Sequence, residues 1–130
     1  MELIEKLQRK RAIKSYIRKL PSLLAKDYGK SKTYTPKQVK RTIERSGLSV
    51  SDACYGIAMF SGREAFDQYH QEVGESCNYD AIRSEIADLH FQGNSGFEIN
   101  DIAAVSSNYG GGFDTNGFDG SGADGGGGND

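Results

Sequence analysis

Few residues in this chain have the chemistry to do catalysis, and their spacing argues against it. The only histidines are His70 and His90, and the only cysteines are Cys54 and Cys77. With Glu64, Asp67, Glu72 and Glu75 nearby, His70 and Cys77 suggest a metal site, but the sequence holds no CxxC, HxxxH or HExxH pattern. Polar residues exposed near a helix end are the simpler reading. A Cys54–His70 nucleophile pair fares no better. Cys54 lies in an apolar run, where burial raises a thiol's pKa instead of activating it. Glu64 and Asp67 sit three apart on one helix, but Glu64 is expected to be occupied in a capping box with Ser61. No phosphate loop and no GxSxG motif is present, and the glycine runs lack the strand–helix context of a nucleotide fingerprint. The expectation is a non-enzymatic protein with no cofactor and no metal.

Charge is the stronger signal. The net charge is -2, from 16 Lys+Arg against 18 Asp+Glu. Residues 1–45 hold 14 of the 16 bases and only Glu2, Glu5, Asp27 and Glu44. The remaining acids fall in residues 46–130, where Arg63 and Arg83 are the only bases. Such segregation bears on partners, not on fold. Arg11, Lys14 and Arg18 share one helix face, and Lys37, Lys40 and Arg41 lie on a second helix. These six are the candidate contacts for an acidic protein or another polyanion. A peripheral membrane surface or non-specific nucleic acid is the alternative. Against both stands a solvated basic face balanced by the chain's own acidic half. Tyr28 and Tyr34, flanked by Lys26, Lys30 and Lys32, offer a second place for a basic-walled groove.

The elements that position these residues read as helices throughout. Residues 2–19 are amphipathic, with Ile13, Tyr16, Ile17 and Leu20 at helical spacing, and Leu3, Ile4 and Leu7 form a separate apolar patch. Pro21 is expected to open a short second helix that Gly29 ends. Thr35-Pro36-Lys37-Gln38 carries a capping box and a proline at the first helical position, and Gly47 stops that helix. Residues 50–60, VSDACYGIAMF, are apolar nearly all round and predict a buried central helix capped by Ser49 or Ser51. Helices over 63–73, with Ala65, Phe66, Tyr69 and Val73 inward, and 79–91, with Ile82, Ile86 and Leu89 inward, complete the set.

The expected architecture is therefore all-α: a small single-domain bundle of about six short helices over residues 1–91. Residues 92–130 contain 12 of the 17 glycines, hold no base, and read as an acidic, mostly disordered tail. Within the tail, Phe97, Ile99, Ile102, Ala103 and Val105 suggest a turn or two of helix that docks on the body. The Phe113-Asp114 and Phe118-Asp119 pairs read as acidic linker, able to fold back over the basic face. No stretch is long and apolar enough to span a membrane, no secretory signal is evident, and a cytoplasmic location with two free thiols is expected.

Residues 38–60 imitate a helix-turn-helix, but the second helix would present Asp52, Ala53, Tyr55 and Gly56 to the groove, with no base before Arg63. Sequence-specific DNA binding is not expected.

The run Arg11-Ala12-Ile13-Lys14-Ser15-Tyr16, then Leu20-Pro21, Tyr34-Thr35-Pro36, Cys54-Tyr55-Gly56-Ile57-Ala58-Met59-Phe60, Arg63-Glu64-Ala65-Phe66-Asp67 and Cys77-Asn78-Tyr79-Asp80 resembles a family of small uncharacterised bacterial proteins. The resemblance spans roughly residues 9–87. It implies a domain of unknown function in a bacterial cytoplasm, and no site residues.

Overall fold

A computed structural model describes residues 2–110 as six α-helices: α1 Glu2–Tyr28, α2 Pro36–Arg45, α3 Ala53–Phe60, α4 Arg63–Val73, α5 Tyr79–His90 and α6 Ile99–Asn108. No strand occurs among the described residues. The chain is all-α, as its periodicity predicts.

The core forms where the apolar stripes of these helices meet. On α1 the residues Ile13, Tyr16, Ile17, Leu20 and Leu24 are fully buried. This stripe stays in phase through Pro21, and α1 runs unbroken across it. The expected break does not occur. An interior proline costs about 3 kcal/mol, but burying large apolar side chains on both sides, at ~1.5–3 kcal/mol each, outweighs it. Val39 and Ile43 of α2, Phe66 of α4, and Ile82 and Ile86 of α5 close around the same centre.

That centre is α3. Six of its residues are buried: Ala53, Gly56, Ile57, Ala58, Met59 and Phe60. Gly56 makes the close approach possible, because a Cβ there would lie 2.9 Å from Ile43 Cδ1 and 3.4 Å from Tyr16 Cδ2. The helix starts later than its apolar run suggests. Val50 is exposed and outside it, and the N-cap is Asp52, whose side chain makes no capping bond. Neither Ser49 nor Ser51 caps it. The Ser49 carbonyl instead accepts a hydrogen bond from the Tyr16 hydroxyl.

Two helix starts follow their sequence signals. Thr35 and Gln38 form a reciprocal capping box on α2, and Asn78 accepts from Ala81 N–H on α5. The Ser61–Glu64 box does not form. Gly62 is the N-cap of α4, and the buried Ser61 hydroxyl donates to the Tyr34 carbonyl at 2.7 Å. Ser61 thus ties the loop before α2 to the end of α3. Val73 and Leu89, expected inward, are exposed, and the buried face of α5 is formed by Ile82, Arg83, Ile86 and Ala87.

The helical body also continues past residue 91. The α6 helix lies along α1 in the most extensive helix pairing of the fold, with Phe97 and Ile102 buried and the Ser106 hydroxyl donating to the Arg18 carbonyl at 3.0 Å. The count of six is therefore reached differently: two expected N-terminal helices are one, and α6 is added. The Phe113-Asp114 and Phe118-Asp119 pairs and the rest of the expected tail from residue 111 lie outside the described residues.

Candidate binding face

Several charges are paired within the molecule, one pair partly buried and others at the surface. Arg9 Nε donates to Glu85 at 2.8 Å, the Tyr55 hydroxyl donates to the same carboxylate at 2.9 Å, and the guanidinium lies over the Tyr55 ring at 5.7 Å. This small network joins α1, α3 and α5. Burial raises the Asp52 carboxyl above its ordinary pKa, an effect the Arg9 charge opposes. Arg45 pairs with Asp27, fastening α2 to α1, and Arg63 pairs with Asp80.

Arg83 is an internal strut that sequence reading did not single out. It is 9% exposed and has no carboxylate partner among the described residues. Its guanidinium donates instead to three backbone carbonyls: from Nε to Ser95 at 3.1 Å, from Nη1 to Ala58 at 2.9 Å, and from Nη2 to Phe97. It lies 3.8 Å from the Phe97 ring centroid. Burial lowers its pKa from the ordinary arginine value. The planar fork of an arginine suits three carbonyls at once, which a lysine ammonium cannot reproduce. No local pattern announces this, because the acceptors are backbone atoms distant in sequence.

The outward basic residues are arranged differently. Arg11, Lys14 and Arg18 are exposed on α1 and make no ion pair among the described residues. Lys14 lies over the Tyr109 ring at 5.1 Å, which sets this trio beside α6. Lys37 and Arg41 are exposed on α2, while Lys40 is half-buried and pairs with Glu44 at 3.8 Å. Lys40 also faces a cavity with Cys54 and His70. The six candidates thus divide into two sets on two helices.

The α1 set continues into a cluster of three exposed apolar side chains. Leu3, Ile4 and Leu7 are 71%, 53% and 47% exposed. Leu7, Arg11, Lys14 and Arg18 follow the i, i+4, i+7, i+11 rule of one helix face, and Leu3 and Ile4 flank Leu7 one turn earlier. The outward side of α1 is therefore an apolar end followed by a basic stripe.

Of the two tyrosines expected to wall a basic groove, Tyr34 does line one with Lys30, between α1 and α6, and Tyr28 is not among its lining residues. Tyr34 is buried and donates its hydroxyl to the Gly29 carbonyl at 2.7 Å. Lys30 and Lys32 also line an open groove of about 720 Å³, whose aromatic side is Phe60, Tyr79 and Phe97.

The structure also joins residues that sequence reading weighed in pairs and set aside, and it buries His70, which was expected to be exposed near a helix end. Cys54, His70 and Cys77 line one cavity. Burial first, and the neighbouring Cys77 thiol second, push the Cys54 thiol up to about 12. A thiol so protonated does not attack at neutral pH until a neighbouring base takes its proton. No group of three His, Cys, Asp or Glu side chains is placed to hold a metal among the described residues.

No helix is long and apolar enough to cross a membrane among the described residues. The long helix α1 is too strongly charged for that role. No curated protein and no solved structure matches the chain. A family pattern matches residues 4–130, well beyond the stretch that carries the sequence resemblance, and the chain belongs to that family of unknown function, DUF6559.

Proposed function

We propose that this DUF6559 member is a non-enzymatic binding or adaptor module, and that the outward face of α1 docks on an acidic protein partner. One observation carries the reading. Leu3, Ile4 and Leu7 are exposed in line with Arg11, Lys14 and Arg18, whose charges have no ion pair among the described residues. An exposed apolar cluster rimmed by charge is the composition of an interaction surface. The basic stripe selects the partner's sign and speeds its approach, and the leucines supply the apolar area that outlasts salt screening. The setting that fits is a bacterial cytoplasm.

The second reading is a peripheral membrane surface. Apolar side chains beside lysine and arginine on one helix also suit anionic lipid. Non-specific nucleic-acid binding would use the basic stripe alone, leaving the leucines without a role.

Three arms at low salt separate these readings: an acidic peptide that carries leucines, sedimentation with anionic vesicles, and a gel shift with duplex DNA. The docking reading expects binding to the peptide, and about tenfold or greater loss in an Arg11→Glu, Lys14→Glu, Arg18→Glu variant. Binding to vesicles or DNA without binding to the peptide overturns it.

A further inference from the structure

Among the described residues, one buried side-chain nitrogen or oxygen has no hydrogen-bond partner: Nε2 of His70. The ring is 3% exposed, and its Nδ1–H donates to the Phe66 carbonyl at 2.8 Å. In the neutral ring this bond leaves the lone pair on Nε2. The ring lines a cavity of about 320 Å³ that also receives Cys54, from α3, and Cys77, from the loop between α4 and α5. Both cysteines are free thiols and half-buried. An orphaned buried acceptor in a folded protein calls for an explanation, and redox chemistry is one of the few available.

We propose that Cys54 and Cys77 form an oxidisable dithiol, which closes to a disulfide when a peroxide reaches this cavity. The two sulfurs have different parts. Cys54 is held as a thiol by burial and by its neighbour, so it does not meet the oxidant first. Cys77, on a loop, does. Its sulfur attacks a peroxide oxygen, the S–O bond forms as the O–O bond breaks, and the departing hydroxide leaves as water with the thiol proton. The Cys54 sulfur then attacks the Cys77 sulfur. The S–S bond forms, the S–O bond breaks, and the hydroxide leaves as a second water with the Cys54 proton. The His70 Nε2 lone pair lies in the same cavity and can carry that proton, as can the Glu75 carboxylate. Each sulfur is oxidised by one electron, and the peroxide is reduced by two.

Lys40, Glu75 and Tyr69 also line the cavity, and Lys40 is the cation in that lining. Closing the bond fastens the α4–α5 loop onto the central helix and shortens the unfolded chain's free span, which stabilises the fold.

The test uses the full chain with hydrogen peroxide, read by intact mass, thiol titration and peptide mapping under non-reducing conditions. The expected result is a monomer that has lost two hydrogens and both free thiols, yields a Cys54–Cys77 linked peptide, melts at a higher temperature, and reverts with dithiothreitol. In Cys54→Ser, oxidation should stop at a Cys77 sulfenic acid that dimedone traps, and in Cys77→Ser, Cys54 should stay reduced. Oxygen addition to the wild-type chain without a linked peptide overturns the proposal. So does an intermolecular dimer, or survival of both thiols at a peroxide dose that oxidises free glutathione. The wild-type mass measurement stands even where a variant fails to fold.

Discussion

Gly56 holds the tightest point of the core, and its neighbours decide what it tolerates. A methyl there meets the flexible end of Ile43, 2.9 Å away, and touches Tyr16. Ile43 can give slightly, and alanine gains ~1 kcal/mol of helix propensity, so Gly56→Ala should be close to neutral. Gly56→Leu has nowhere to put its branch and should cost about 1–3 kcal/mol or more. Urea denaturation of both variants checks the pair, and an unchanged midpoint for the leucine would remove α3 from the centre of the fold. Arg83→Lys should cost roughly 2–4 kcal/mol, because a lysine leaves buried carbonyls without donors. His90 gives a pH signature. Its Nδ1 lies 2.8 Å from the Tyr109 hydroxyl, and burial, then the Lys14 charge, lower its pKa from 6.5. A depressed folded-state pKa means the unfolded chain takes up the proton first. The stability due to His90 is complete above about pH 6.5 and falls as pH drops through its folded value. Melting temperatures from pH ~7 to ~5 should fall less in His90→Gln than in the wild type, and parallel curves would show that His90 carries no linkage.

Among the elements, the helix boundaries were legible wherever the signal was local and steric. The Thr35–Gln38 box and the Asn78 cap form as their residue types require, and Gly29, Gly47 and Gly74 take the positive φ that ends α1, α2 and α4. Boundaries set by tertiary packing were not legible. Pro21 looks like a start, but the buried stripe on both sides keeps α1 whole. Ser61 looks like a cap, but the Tyr34 carbonyl takes its hydroxyl. The α6 helix was legible only as an apolar island, and its local start signal, Asp101 Oδ2 accepting from the Glu98 N–H at 2.8 Å, was missed. Ile102 is fully buried, so Ile102→Ala should cost about 2–5 kcal/mol. A chain cut after residue 91 should melt well below the full chain, since α1 would lose its main partner. Equal melting temperatures would make α6 dispensable. The candidate site divides along the same line. The basic stripe of α1 can be read from spacing, whereas the Arg83 strut and the Cys54–His70–Cys77 cavity require elements far apart in sequence to meet.

Across the whole molecule, charge segregation has a structural meaning. Part of the positive excess is neutralised by the chain's own acids: Arg9, Arg45 and Lys40 each meet a carboxylate. The remainder on α1 lies outward and runs into exposed leucine and isoleucine, a costly arrangement for a surface with no partner. The central claim is that this one face docks an acidic, apolar-bearing partner. The most direct measurement is a map of backbone amide shifts in the isotope-labelled full chain, during titration with an acidic leucine-bearing peptide. The account predicts saturable shifts between Leu3 and Arg18, abolished by glutamate at Arg11, Lys14 and Arg18 and retained with glutamate at Lys37 and Arg41. Shifts centred on α2, or none on α1 while the peptide binds, would contradict it.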